Sequence, residues 1–143
     1  MRLVLDTNIV VSGLLWNGAP ERLLRAGNHR SIQLFTSPLL LAELTHTLSY
    51  PKFGRKIAAS GNSVGQLVDF YSKLAAVVLP TPVPRVAPDP DDDVVIGTAL
   101  AAKADLVVTG DRTLLSVAEY EGVRIVSVRN ALSAVVAESQ VRP

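Results

Sequence analysis

Leu3-Val4-Leu5-Asp6-Thr7-Asn8 near the start of the chain and Leu106-Val107-Val108-Thr109-Gly110-Asp111 near its end follow the same order: a short apolar run stopped by an acid. A run of this length with no polar alternation is the pattern of a strand buried on both faces, as parallel sheets require. Working outward from Asp6, residues up to Trp16 read as a loop and helix. Asn17-Gly18 is a turn signal, and Pro20 suits the first turn of a second helix ending near Gly27-Asn28. Ile32, Leu34 and Phe35 mark a second strand. Ser37-Pro38 then reads as N-cap and first position of a long helix reaching about Ser49. Val64, Leu67, Val68 and Tyr71 fall on one helix face, and Ala75 to Leu79 is predicted as a third strand.

Working back from Asp111, residues 104–109 form a fourth strand, preceded by a helix over Val94 to Lys103 that opens at Asp91-Asp92-Asp93. A short helix is expected over Leu114 to Ala118, a fifth strand over Val123 to Val128 and a closing helix over Ala131 to Ala137. Strands alternating with helices predict an α/β fold, with helices on both faces of a central parallel sheet of about five strands. Pro82, Pro84, Pro88 and Pro90 make the segment before the acidic run either a rigid loop or a linker. The loop is favoured, because a cut there leaves a C-terminal piece with two strands, too few to bury both faces of a sheet. One domain over residues 1–143 is the expectation.

The composition is that of a compact globular protein, 48% apolar and 19% charged. With no cysteine, disulfides and thiolate-bound zinc are excluded, and a reducing compartment fits. The apolar run before Asp6 is too short for a signal peptide and no stretch reaches membrane-spanning length, so a cytoplasmic protein without membrane association is expected. A net charge of +1 does not by itself announce a nucleic-acid binder.

Acids at strand ends carry the functional signal. In open parallel sheets ligands bind beyond the carboxyl ends of the strands. Asp6 and Asp111 both fall there, facing one another if their strands are neighbours. Glu43, in the helix after the second strand, and Asp92, in the first turn of the helix before the fourth, can lean over the same edge. Each has an ordinary alternative: Asp92 as a residue favouring a helix N-terminus, Glu43 as a solvated helix residue, Asp111 as a turn residue. Asp6 is the hardest to explain so, with no basic residue nearby to pair with. Unit charges at 4 Å repel by about 4 kcal/mol at an effective dielectric near 20, so four clustered carboxylates need a cation. Oxygen ligands without cysteine or convergent histidines favour Mg²⁺ or Mn²⁺, which points to phosphoryl chemistry.

Val4-Leu5-Asp6-Thr7-Asn8, residues 37–44 (SPLLLAEL), Asp89-Pro90-Asp91-Asp92-Asp93 and Val107-Val108-Thr109-Gly110-Asp111 together resemble the PIN-domain family, especially the VapC-like toxin ribonucleases. The resemblance spans nearly the whole chain. It implies a three-layer α/β/α fold, Mg²⁺- or Mn²⁺-dependent cleavage of RNA, a cognate antitoxin and a homodimer. It matches Asp6, Glu43, Asp92 and Asp111 to the family's acidic quartet, and Asn8 and Thr109 to polar positions that support the acids. Asp93, often Asn in the family, either shares the metal or faces solvent. Lys52, Arg55 and Lys56, with Phe53 beside them, and Arg112 are the cations available to RNA, or else belong to ordinary solvated loops. Trp16 reads as a core or partner-facing residue rather than a base platform, and His46 as a structural or surface residue. The competing classes are a PIN-like binding module without catalysis and a phosphoaspartyl phosphatase or receiver domain. The second lacks its acid two positions after Asp6, where Asn8 stands, and its late lysine.

Overall fold

The computed structural model describes residues 1–87 and 89–141. Its sheet is built on β1 (Arg2–Leu5), flanked by β2 (Gln33–Thr36) and β4 (Leu106–Val108), with β3 (Ala76–Val77) outside β2 and β6 (Val123–Val126) outside β4. These five strands are parallel. A sixth, β5 (Glu119–Tyr120), lies antiparallel on the far edge against β6. The five parallel strands match the expected count, and β5 adds a short antiparallel edge strand that the sequence reading did not include. A two-residue strand shows no alternation to read, and its signal was the turn that follows. Glu121 and Gly122 both have positive φ, 47° and 85°, as a two-residue hairpin with native strand twist needs.

Side chains alternate across the sheet and divide the core in two. Leu3, Leu5, Leu34, Leu106 and Val108 face α1 (Thr7–Leu15), α2 (Ala19–Asn28), α5 (Val64–Leu74) and α8 (Val128–Val141). Val4, Phe35, Val107 and Ile125 face α6 (Pro90–Ala102) and α7 (Arg112–Leu115). α3 (Pro38–Leu48) contributes Leu44 and Leu48 to the first half and Leu40 to the second. The result is the expected three-layer α/β/α arrangement. Leu3, Val4, Val107 and Val108 are fully buried, which is why the central strands are apolar without interruption.

Helix starts follow their caps. Ser37 precedes Pro38 at the head of α3, and Ser63 with Gln66 forms a capping box on α5. The last strand ends at Val126, two residues earlier than expected, because Ser127 caps α8. Its Oγ accepts from the Asn130 N–H and its carbonyl from that of Ala131. Residues 51–60, legible only as a basic stretch, form a 3₁₀ turn over Pro51–Phe53 and α4 (Gly54–Ser60).

The proline-rich segment is a loop strapped to α6. The Thr81 N–H donates to the Gly97 carbonyl at 2.9 Å, and a Cβ on Gly97 would come within 2.4 Å of the Thr81 carbonyl oxygen. Only glycine admits so close a pass. Further along, Asp93 Oδ1 accepts from the backbone N–H groups of Val86 and Ala87 at 3.1 and 2.8 Å, and Ala87 is buried. Pro88, among the expected loop residues, and the side chain of Asp91 lie outside the described residues.

Candidate active site

β1 and β4 are hydrogen-bonded neighbours with Leu5 opposite Val108, so Asp6 and Thr109, the next residue of each, leave the sheet at the same edge. The Asp6 N–H extends the ladder to the Val108 carbonyl at 2.9 Å. Its carboxylate is held from both sides: Oδ1 accepts from the Thr7 N–H at 2.8 Å at the head of α1, and Oδ2 from Thr109 Oγ1 at 2.7 Å. Thr109 is fully buried, and its hydroxyl oxygen in turn accepts from the Asp111 N–H at 3.0 Å. A single chain of hydrogen bonds thus links Asp111's backbone to Asp6's carboxylate across the two strands.

Asp111 is exposed and caps α7, its Oδ1 accepting from both the N–H and the hydroxyl of Thr113. Those bonds favour the ionised form and hold its pKa below the ordinary carboxylate value. The turn role foreseen for Asp111 is therefore real, and it fixes the side chain at the rim of the site. Asn8 is exposed on the first turn of α1, and the described hydrogen bonds to Asp6 come from Thr7 and Thr109.

Asp92 enters from the other direction, in the first turn of α6, where its N–H donates to the Asp89 carbonyl at 3.1 Å. It is buried, yet among the described residues its Oδ2 has no hydrogen-bond partner. Burial, followed by the charges of Asp111, Asp6, Asp89 and Glu43, pushes its pKa up to about 6. Three carboxylates from other elements, and Asp89 just before α6, thus act on this one side chain. The fold brings together all four predicted acids: Asp6 from β1, Glu43 from the exposed face of α3, Asp92 from α6 and Asp111 from the end of β4.

Asp89 is a fifth member, not singled out in the sequence because it read as part of the acidic run. Its distinguishing signal is its place immediately before Pro90, the first residue of α6. Asp93 is engaged by the loop before α6 rather than turned to open solvent. It is nearly buried, turned toward the loop, with Arg85 Nε at 3.8 Å from its Oδ2, and it ties residues 85–87 to α6. Successive helix residues point about 100° apart, which separates Asp92 from Asp93. Lys52, Arg55, Lys56 and Arg112 are all exposed.

Among the described residues no three carboxylates or imidazoles close into a ready-made metal cage. The donors at this edge nonetheless fit a hard divalent cation. They are all oxygens, they repel one another, and the buried Oδ2 of Asp92 lacks a positive or donating partner that such a cation supplies. A cleft of about 740 Å³ opens at the opposite end of β1 and β2, beside Arg2, Gln33 and Ala76; it has no acid in its lining and no part in this cluster.

The family model described as the PIN domain matches residues 2–113, which include all five acids of the site. No curated protein matches. Among solved structures, the crystal structure of VapBC2 from Rickettsia felis bound to a DNA fragment from their promoter aligns over 89% of this chain and 98% of that chain. Its TM-score is 0.59 and its identity 14%. At that identity the likeness is one of fold. With the family model covering most of its length and the acids in place at the sheet edge, the chain belongs to the PIN-domain family.

Proposed function

We propose that residues 1–143 form a single nuclease domain that hydrolyses RNA phosphodiester bonds with Mg²⁺ or Mn²⁺ held by Asp6, Asp92, Asp111 and Glu43. The observation that carries this reading is Asp92: a buried carboxylate with an orphaned oxygen, facing the charges of four other acids. Such an arrangement opposes folding on its own, and it makes chemical sense as a cation site.

What a bound Mg²⁺ or Mn²⁺ supplies is acidification of water and neutralisation of charge building on a phosphate. The chain's own residues do the rest. Thr109 and the Thr7 N–H lock the Asp6 carboxylate in one orientation, so its lone pairs are presented without reorganisation. Thr113 holds Asp111 ionised. Asn8 and Arg112, exposed beside Asp6 and Asp111, are placed to meet substrate, and Lys52, Arg55 and Lys56 supply cations for phosphates farther along the strand.

The biological setting we propose is a VapC-like toxin, homodimeric and cytoplasmic, neutralised by a cognate antitoxin protein. The fold shared with a VapBC2 complex supports that setting, and no described helix is long and apolar enough to cross a membrane. The test is cleavage of single-stranded RNA by the purified chain in Mn²⁺ or Mg²⁺. Activity is expected to vanish in EDTA and to fall by about 10²-fold or more in Asp6→Asn, the loss typical of removing one electrostatic stabiliser of a transition state. No cleavage with any divalent metal would overturn the enzyme reading in favour of a binding module.

A further inference from the structure

Trp16, at the C-terminal end of α1, is 42% exposed. It meets Phe53 edge-on with ring centroids 6.1 Å apart, and two lysines lie over this pair: Lys56 Nζ is 5.3 Å from the Trp16 ring centroid and Lys52 Nζ 5.1 Å from that of Phe53. Phe53 packs partly against the core, which anchors the cluster to the body of the protein. Among the described residues none of Lys52, Arg55 and Lys56 has an ion-pair partner, and the surrounding sequence explains why. There is no acid between Asp6 and Glu21, nor between Glu43 and Asp69. A tryptophan and a phenylalanine held under unpaired cations is the surface that stacked bases and phosphates require.

Its place relative to the acids gives it a task. α1 begins at Asp6 and ends at Trp16, about 15 Å away at 1.5 Å per residue. α3 packs against α1, and its exposed side carries Leu39, Glu43 and His46 at helical spacing, with exposed Tyr50 just beyond its end at the turn that holds Lys52 and Phe53. The His46 and Tyr50 rings touch edge-on at 5.2 Å. One exposed strip therefore runs from the carboxylates to the basic aromatic cluster.

Resting on the ribonuclease reading, we propose that Trp16 and Phe53, flanked by Lys52, Arg55 and Lys56, form a stacking platform that grips single-stranded RNA at a fixed distance from the acidic edge. The platform makes substrate recognition depend on strand length: a strand must be long enough to reach both places at once. It also gives Trp16 a role different from the core or protein-facing one its sequence context implied.

Trp16 is the only tryptophan, so its fluorescence reports the platform directly. Asp6→Asn protein in EDTA, titrated with a U₁₀ oligoribonucleotide, is expected to show saturable quenching of this emission. Trp16→Ala should bind the same fluorescein-labelled decamer roughly 5- to 100-fold more weakly by anisotropy, the range for losing one stacked base. Trp16→Phe should recover most of that affinity. Lys52→Gln and Lys56→Gln should each lower the slope of log affinity against log salt by about 0.7, as for one phosphate contact on a single strand. In Mn²⁺ the preference of the otherwise wild-type protein for decamer over trimer should fall in Trp16→Ala. Binding by anisotropy with unchanged tryptophan emission, or equal loss on trimer and decamer, would overturn the platform while leaving the nuclease intact. Absence of both RNA binding and RNA cleavage would instead sink the ribonuclease reading on which it stands.

Discussion

Asp6 and Asp92 are equally exposed, 9% each, and belong to the same cluster of acids, yet the fold treats them in opposite ways. At the end of β1 both oxygens of Asp6 accept hydrogen bonds, one from a helix-start N–H and one from a buried threonine. At the start of α6 one oxygen of Asp92 has no partner among the described residues, and burial and four neighbouring charges raise its pKa to about 6. The strand-end half of the site is held by hydrogen bonds from the chain itself. The helix-start half is under an electrostatic load of the kind that a bound cation would relieve. Hydrogen bonds can hold one carboxylate in place, but only opposite charge offsets the repulsion among several.

The sharpest way to break this contrast is Asp92→Asn. The folded chain holds this proton more tightly than the unfolded chain, so ionising Asp92 opposes folding. That cost is absent below the unfolded value of 3.8, grows as pH rises through about 6 and is complete above. Multiplying the difference by about 1.4 kcal/mol per unit gives a penalty of about 3 kcal/mol at neutral pH. In EDTA, urea unfolding at pH 7 should therefore find Asp92→Asn more stable by up to about 3 kcal/mol, with the gain shrinking toward pH 4. RNA cleavage should be lost in the same variant. Asp111 has the opposite sign, because its lowered pKa favours the folded state above the unfolded value and loses that advantage only in more acidic solution. The two contributions thus occupy separate pH windows. Equal or lower stability of Asp92→Asn at pH 7 would mean that Asp92 bears no such load.

Thr109→Val probes the other half. It removes the donor to Asp6 Oδ2 and the acceptor for the Asp111 N–H without changing shape. Stability should fall by about 1–3 kcal/mol through the groups left unpaired, and cleavage by about 10- to 100-fold, as for lost support of a metal ligand. Wild-type cleavage in this variant would show that Asp6 needs no such support.

The smallest expected effect is that of Asp93→Ala, which separates the neighbouring acid from the site. Losing the bonds to the Val86 and Ala87 N–H groups should cost about 1–2 kcal/mol and speed tryptic cleavage after Arg85. The chain should still cleave RNA, unlike Asp92→Asn. Inactivity with an intact loop would return Asp93 to the acidic cluster.

Legibility followed the length of the pattern involved. The runs before Asp6 and Asp111 were readable because a strand buried on both faces leaves an unbroken apolar signature, and the fold's layers follow from their alternation with helices. β5 was not, since a two-residue strand depends on its neighbour for its existence. α4 was missed because its surface-facing sequence has little apolar periodicity. Within the site, Asp6 and Asp111 followed from strand ends, whereas Asp91, Asp92 and Asp93 are the same residue type in one run, and no local property ranks them.

The sequence by itself determined the alternating α/β architecture, the parallel sheet and the edge at which acids collect, because apolar runs and helix caps act over a few residues. Only the tertiary structure decided which acids share a field and which do not. That choice rests on β4 crossing over to lie beside β1, on a loop passing over Gly97, and on the turn of α6 that sends Asp92 toward Asp6 and Asp93 toward Val86. Electrostatic coupling depends on distance through space, and residues as far apart in the chain as Asp6 and Asp111 come into range only when the sheet closes between them.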